Sequence, residues 1–212
     1  MREAPWSLNY RVFRDTVPSK HQPTLDAEGK PQPYAHAYQH LLHHSTLAQN
    51  RTFICIQPVS AQATVVSMPQ QQQDAHVSML RQYMAALWSP RHTLFVQQGA
   101  TYTGGVCTIH VAELRAIREG PQSGVIQSPG VVVCISTLVG SDEPSDPVPE
   151  DEIDFDYAQT LIRECWAMIK EGRDIGRSEI REVMMAPTLT THEEREREAA
   201  VRMWCDVLRL RG

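Results

Sequence analysis

Basic charge is in short supply in this chain. Lysine and arginine total 20 against 25 aspartates and glutamates, a formal net charge of −5, and a field of that sign repels the phosphate backbones that nucleic-acid binders must neutralise. Direct, sequence-specific nucleic-acid binding is therefore not expected. No stretch approaches the roughly 18 apolar residues of a membrane-spanning helix, and the opening "MREAPWSL" lacks the apolar run of a secretory leader. The expectation is a soluble intracellular protein with no membrane partner. Five cysteines, Cys55, Cys107, Cys134, Cys165 and Cys205, form no C-x-x-C pair, and their odd number leaves at least one thiol unpaired, which suits a reducing compartment. No internal repeat is visible, and a chain of 212 residues is expected to form one domain over 1–212 with one core.

Catalytic signatures are equally scarce. In "GATYTGGV", residues 99–106, Gly99 and Gly104 stand at the spacing of a phosphate-binding loop. Gly105 and Val106, however, occupy the places of its lysine and hydroxyl, and the "CTIHVAEL" that follows alternates as a strand where the motif requires a helix. With "HTLFVQQ" before it, the segment predicts strand, turn, strand. The G-x-S-x-G and H-E-x-x-H patterns are missing. His36, His40, His43 and His44 read as the polar face of a helix, because zinc needs three or four converging ligands and that helix holds no carboxylate or cysteine. His110, Glu113 and Arg115 would share one strand face if a bulge lies near Val111, but no nucleophile stands beside them. The cysteines in strands, Cys55, Cys107 and Cys134, read as small buried thiols. No catalytic, cofactor or metal site is expected.

What is present is patterned apolar residue. "WSLNYRVFR" puts Trp6, Leu8, Tyr10 and Val12 on one side of a strand. Residues 16–33, with four prolines and a glycine, predict a loop insertion. Tyr34 to Ala48 predicts a helix with Tyr34, Tyr38, Leu41, Leu42 and Ser45 on one side. "RTFICIQ" and "ATVVSM" predict short strands, and Pro69 opens a helix running to Trp88 whose Val77, Leu80, Tyr83, Met84 and Leu87 cover a sheet. "GVVVCISTLVG" predicts a central strand covered on both faces. Residues 141–156, with eight acids and three prolines, predict a second, solvated insertion. Tyr157 to Lys170 predicts a substantially buried helix with Asp154 and Asp156 at its positive end. The closing helix is expected to start in a capping box, Thr191 with Glu194, and to end in arginines. Trp204, Val207 and Leu208 on its apolar side offer either a seat on the chain's own sheet or a docking surface for another protein.

The order of segments is itself informative. "WSLNYRVF", "AYQHLLHHSTLAQNRTFICIQ", "ATVVSM" with its helix, the hairpin around "GATYTGG", the strand "GVVVCIS", "LIRECWAMI" and "VRMWCDVLRLRG" together resemble the Mediator complex subunit 20 family over Trp6 to Gly212. That resemblance implies an α+β fold, an antiparallel β-barrel or strongly curved sheet flanked by several helices, akin to the barrel of triphosphate tunnel enzymes. It implies no catalysis, since the E-x-E-x-K strands of those enzymes are lacking here. It further implies a nuclear transcription coregulator that pairs with Mediator subunit 18 as the movable jaw of the head module. Subunit 8 and other head subunits would be neighbours, and the RNA polymerase II machinery would be contacted. Only "MREAP" stands where the family has a further strand and helix, which predicts an exposed sheet edge. The competing reading is a barrel hydrolase of a phosphorylated small molecule, resting on the hairpin and on His110, Glu113 and Arg115.

Overall fold

Alternation in the first strand decides where the interior lies. In a computed structural model that describes residues 5–18, 23, 25–118, 126–137, 155–173, 179–185 and 193–209, Trp6–Asp15 (β1) buries Trp6, Leu8, Tyr10 and Val12 on one face. Phe13 is buried as well, on the opposite face, so both sides of this strand are covered. β1 lies in the middle of seven antiparallel strands. The others are β2 (Tyr38–His44), β3 (Arg51–Gln57), β4 (Thr64–Pro69), β5 (Trp88–Gly104), β6 (Cys107–Arg118) and β7 (Ile126–Thr137), in the spatial order β4-β3-β2-β1-β5-β6-β7. Among the described residues the sheet is strongly curved and does not close into a barrel, and with three α-helices it makes an α+β fold.

The inner face of the sheet holds the main core. Its floor is Trp6, Leu8, Tyr10, Leu42, Phe53, Leu94, Leu114 and Val132, drawn from six strands, and its lid is the closing helix Glu193–Leu208 (α3). Val201, Trp204, Cys205 and Leu208 of α3 recur at intervals of three and four, the spacing of one helix side, and all are buried. Burying a side chain of this size stabilises the fold by about 1.5–3 kcal/mol. On the outer face, Gln73–Gln82 (α1) lays Val77 and Leu80 on Phe13 and Leu41. Phe155–Lys170 (α2) packs farther along that face, against β7 and Cys107.

The last turn of α3 holds no basic residue, against the arginines expected there, since the helix ends at Leu208, before Arg209. Five further expectations need correction. Residues 38–44 form a strand, not part of a helix: both faces of β2 are covered, so apolar and polar residues, Gln39 and three histidines among them, are buried on both sides and the period of two is erased from the sequence. α1 ends at Gln82, leaving Tyr83 and Leu87 exposed, and Trp88 already opens β5. β7 is an edge strand, not a central one. α2 buries only Ala158 and Cys165, with Tyr157 and Met168 facing solvent. β6 carries no extra residue near Val111, where its pairing with β7 runs unbroken; the register shift beside it belongs to β5, between Phe95 and Ala100 opposite Arg115 and Val111, and a second lies between Leu114 and Ala116 on the β7 side. The change of phase along β6 arises because α2 covers Cys107 on the outer face, while Ala112, Leu114 and Ala116 join the inner core.

The described part of the 16–33 insertion is irregular except for a Leu25–Pro31 bridge. The 141–156 connector, apart from Phe155 and Asp156 in α2, and the Thr191 cap lie outside the described residues. Among the described residues no helix is long and apolar enough to cross a membrane.

Candidate functional site

The inner face carries a connected network of buried polar groups around Tyr10 and His40. Because β2 alternates, His40 and His44 point inward with Leu42, while Gln39, Leu41 and His43 point outward. The Tyr10 hydroxyl and His40 Nδ1 are 2.8 Å apart, and His40 Nε2 lies 3.4 Å from Gln57 Oε1. A proton on Nε2 satisfies both contacts, with Tyr10 donating to Nδ1 and Nε2 donating to the amide. Arg209, one residue past α3, also donates to Gln57 Oε1 at 3.2 Å and stacks 5.0 Å above the Tyr38 ring. Nearby, the Leu208 carbonyl accepts from His92 Nε2 at 3.3 Å, and Arg181 reaches Asp206 at 2.7 Å and the Arg209 carbonyl at 3.0 Å. Cationic and N–H donors gathered at the end of a helix complement its negative pole. The network thus anchors the end of α3.

Its protonation states follow from burial. Loss of water pushes His40 down to about 4 and His44 down to about 3, lowers His92, and raises the Tyr10 hydroxyl well above its ordinary value. A general acid or base works best with a pKa near the working pH. His40 and His44 are instead neutral, aromatic filling at pH 7. His44 stacks on Trp6 with ring centroids 5.0 Å apart and lies 4.6 Å from Trp204.

The glycines of "GATYTGGV" serve this packing. Gly99 faces the Trp6 indole so closely that an added Cβ would lie inside it, and the indole Nε1 donates to the Ala100 carbonyl at 3.2 Å. Gly105, at φ +58°, sits in the two-residue turn between Gly104 and its partner Cys107, where a left-handed conformation favours glycine. The strand-turn-strand expectation holds, and the first glycine makes room for a ring.

The other candidates separate. His110 points inward, hydrogen-bonded to Thr101 at 2.9 Å and edge-on to Trp6. Glu113 and Arg115 point outward, paired at 3.7 Å and about half exposed, so the three do not share a face. The four histidines do not share one either: His40 and His44 face the inner core, His43 the outer face, and His36 bonds Asp15 at 2.6 Å. Trp204 and Leu208 lie in the chain's own core, and Val207 is half-buried against it. Among the described residues, no three histidine, cysteine, aspartate or glutamate side chains converge as metal ligands.

Sequence reasoning missed one surface. On the outer face of β5, β6 and β7, cross-strand pairing aligns Tyr102 with Ile109 and Ile135, and Val111 with Val133. Val131 stands beside them, and α2 covers this apolar field only in part, leaving Tyr102 47 % and Val131 65 % exposed. The signal was there: Ile109, Val111, Val131, Val133 and Ile135 all lie on one phase of their strands. No family model matches the chain, and no curated protein matches it.

Proposed function

We propose that the chain is a non-catalytic interaction subunit, working in the nucleus as the subunit-20-like member of the Mediator head module. In this reading it pairs with Mediator subunit 18 as part of a movable jaw, with subunit 8 and other head subunits beside it. It helps couple regulators to the RNA polymerase II machinery at promoters.

The observation that carries the reading is the division of labour between the two faces of the sheet. The inner face, where a tunnel enzyme would admit its phosphorylated substrate, is filled by Trp204, Leu208 and Val201 of the chain's own α3. The outer face of β5 to β7 offers partly exposed Tyr102, Val131, Val133 and Ile135, and contiguous apolar surface of this kind marks protein contacts. A permanent interface buries more than about 1,200 Å² around apolar and aromatic anchors. The hydrolase reading loses its support because His110 is turned away from Glu113 and Arg115.

Co-expression with tagged subunit 18 tests the proposal. Retention of the untagged chain through affinity and size-exclusion steps is expected; loss of the chain at the first wash contradicts it.

A further inference from the structure

Residues 179–185 have no helix or strand of their own, and none of the seven is buried. Two neighbours in this segment, of opposite charge, grip different helices. Arg181 Nη2 donates to Asp206 in the last turn of α3 at 2.7 Å, and Nη1 donates to the Arg209 carbonyl just beyond it at 3.0 Å. Glu182 Oε1 accepts from Trp166 Nε1 at 2.6 Å and from Lys170 Nζ at 3.3 Å, both at the end of α2. Lys170 also stands 5.1 Å over the Trp166 ring, so the three side chains make one cluster. Trp166 and then Lys170 hold the Glu182 carboxyl below its ordinary range, which keeps it charged at pH 7.

We propose that residues 179–185 are a strap that fastens α2 to α3, so that the firmly seated helix holds the loosely seated one in place. The proposal is independent of the partner reading.

The two helices differ in how they are held. α2 buries only Ala158 and Cys165, whereas α3 buries Val201, Trp204, Cys205 and Leu208. An element with so few buried apolar contacts opens locally at low cost. The end of α3 is tied down further, because Arg209 stacks on Tyr38 of β2 and donates to Gln57 of β3. The strap cannot be seated by burial, since Ile180 and Met184 are exposed, so charge-assisted hydrogen bonds fix it. Its two clasps stand on adjacent residues with no slack between them. They act in series, and the loss of either one frees the end of α2. Both are exposed enough to be screened by salt.

Amide hydrogen exchange of the full chain, read by mass spectrometry over α2, α3 and β1, tests the strap. Glu182→Gln should speed exchange in the second half of α2 several-fold. The decisive variant is Arg181→Gln, which removes contacts to α3 alone; it should speed the same α2 amides by a similar factor while β1 and the Val201–Cys205 turn of α3 keep wild-type protection. Glu179→Gln, which removes a charge from the segment but neither clasp, should leave α2 unchanged. In about 1 M sodium chloride, where the screening length falls to about 3 Å, wild-type α2 should exchange several-fold faster and Glu182→Gln should gain little more. An α2 that ignores Arg181→Gln, or that responds equally to Glu179→Gln, overturns the strap. So does acceleration spread evenly over β1, α2 and α3, and so does a wild-type α2 indifferent to salt.

Discussion

The Trp6 indole and the Trp204 indole meet at 6.1 Å between ring centroids, joining the first strand to the last helix across the whole length of the chain. His44 lies against both rings, so three residues from β1, β2 and α3 make one aromatic joint. Truncating Trp204 to alanine removes the centre of that joint and leaves a cavity under α3. Such losses cost about 3–5 kcal/mol. A urea unfolding curve should show a shift of that size, and a change below about 1 kcal/mol would mean that α3 is not part of the core.

Gly99→Ala should be destabilising although it adds only a methyl group. The new carbon would overlap the Trp6 indole, which is held by its bond to Ala100 and by the His44 ring. Overpacking of this type costs about 1–3 kcal/mol. The same change at Gly104, where an added carbon meets nothing nearby, should be close to neutral. Equal thermal midpoints for the two variants would remove the packing role assigned to Gly99.

Acid should loosen the fold in a defined window. His40 and His44 fall to about 4 and about 3 in the folded chain from an ordinary 6.5. Below 6.5 the unfolded chain takes up these protons first, so stability falls with falling pH, by about 1.4 kcal/mol per pH unit and histidine. Above about pH 7 neither group contributes a slope. The urea midpoint should therefore drop between pH 6.5 and pH 4.5, and His44→Leu should flatten the drop. A midpoint unchanged over that range contradicts the buried, neutral state of both imidazoles.

Much of this architecture was legible in the residues. β1 keeps polar residues at its outward positions 7, 9 and 11 although that side is covered too, β4 is largely exposed, and β3 and the β5–β6 hairpin are bounded by marked turns, so alternation and turn residues were enough. The buried side of α3 was visible as Trp204 and Leu208 at helical spacing. β2 was not legible, because it carries apolar and polar residues on both covered sides, and its three histidines with His36 just before it imitate the polar face of a helix. The neighbours of β7 were not legible either, since strand order depends on which hydrogen-bonding edge finds which partner, and composition does not record that. The separation of His110 from Glu113 and Arg115 turned on the position of a register shift, which pairing alone fixes. The outer apolar face was overlooked for a related reason: its residues come from separate strands and meet only after pairing.

Charged substitutions on that outer face should weaken partner binding without unfolding the chain. Val131, 65 % exposed, and Tyr102, 47 % exposed, lie outside the inner core. Val131→Asp with Tyr102→Glu should lower affinity for subunit 18 at least tenfold, about 1.4 kcal/mol or more, with the unfolding midpoint nearly unchanged. Undiminished binding by the double variant would move the interface elsewhere.

The central claim is that this chain works by what it binds. Multi-angle light scattering of the purified chain mixed with equimolar Mediator subunit 18 measures it most directly. The predicted result is a single peak with the summed mass of one copy of each; two separate peaks, each at its own mass across micromolar concentrations, would contradict it.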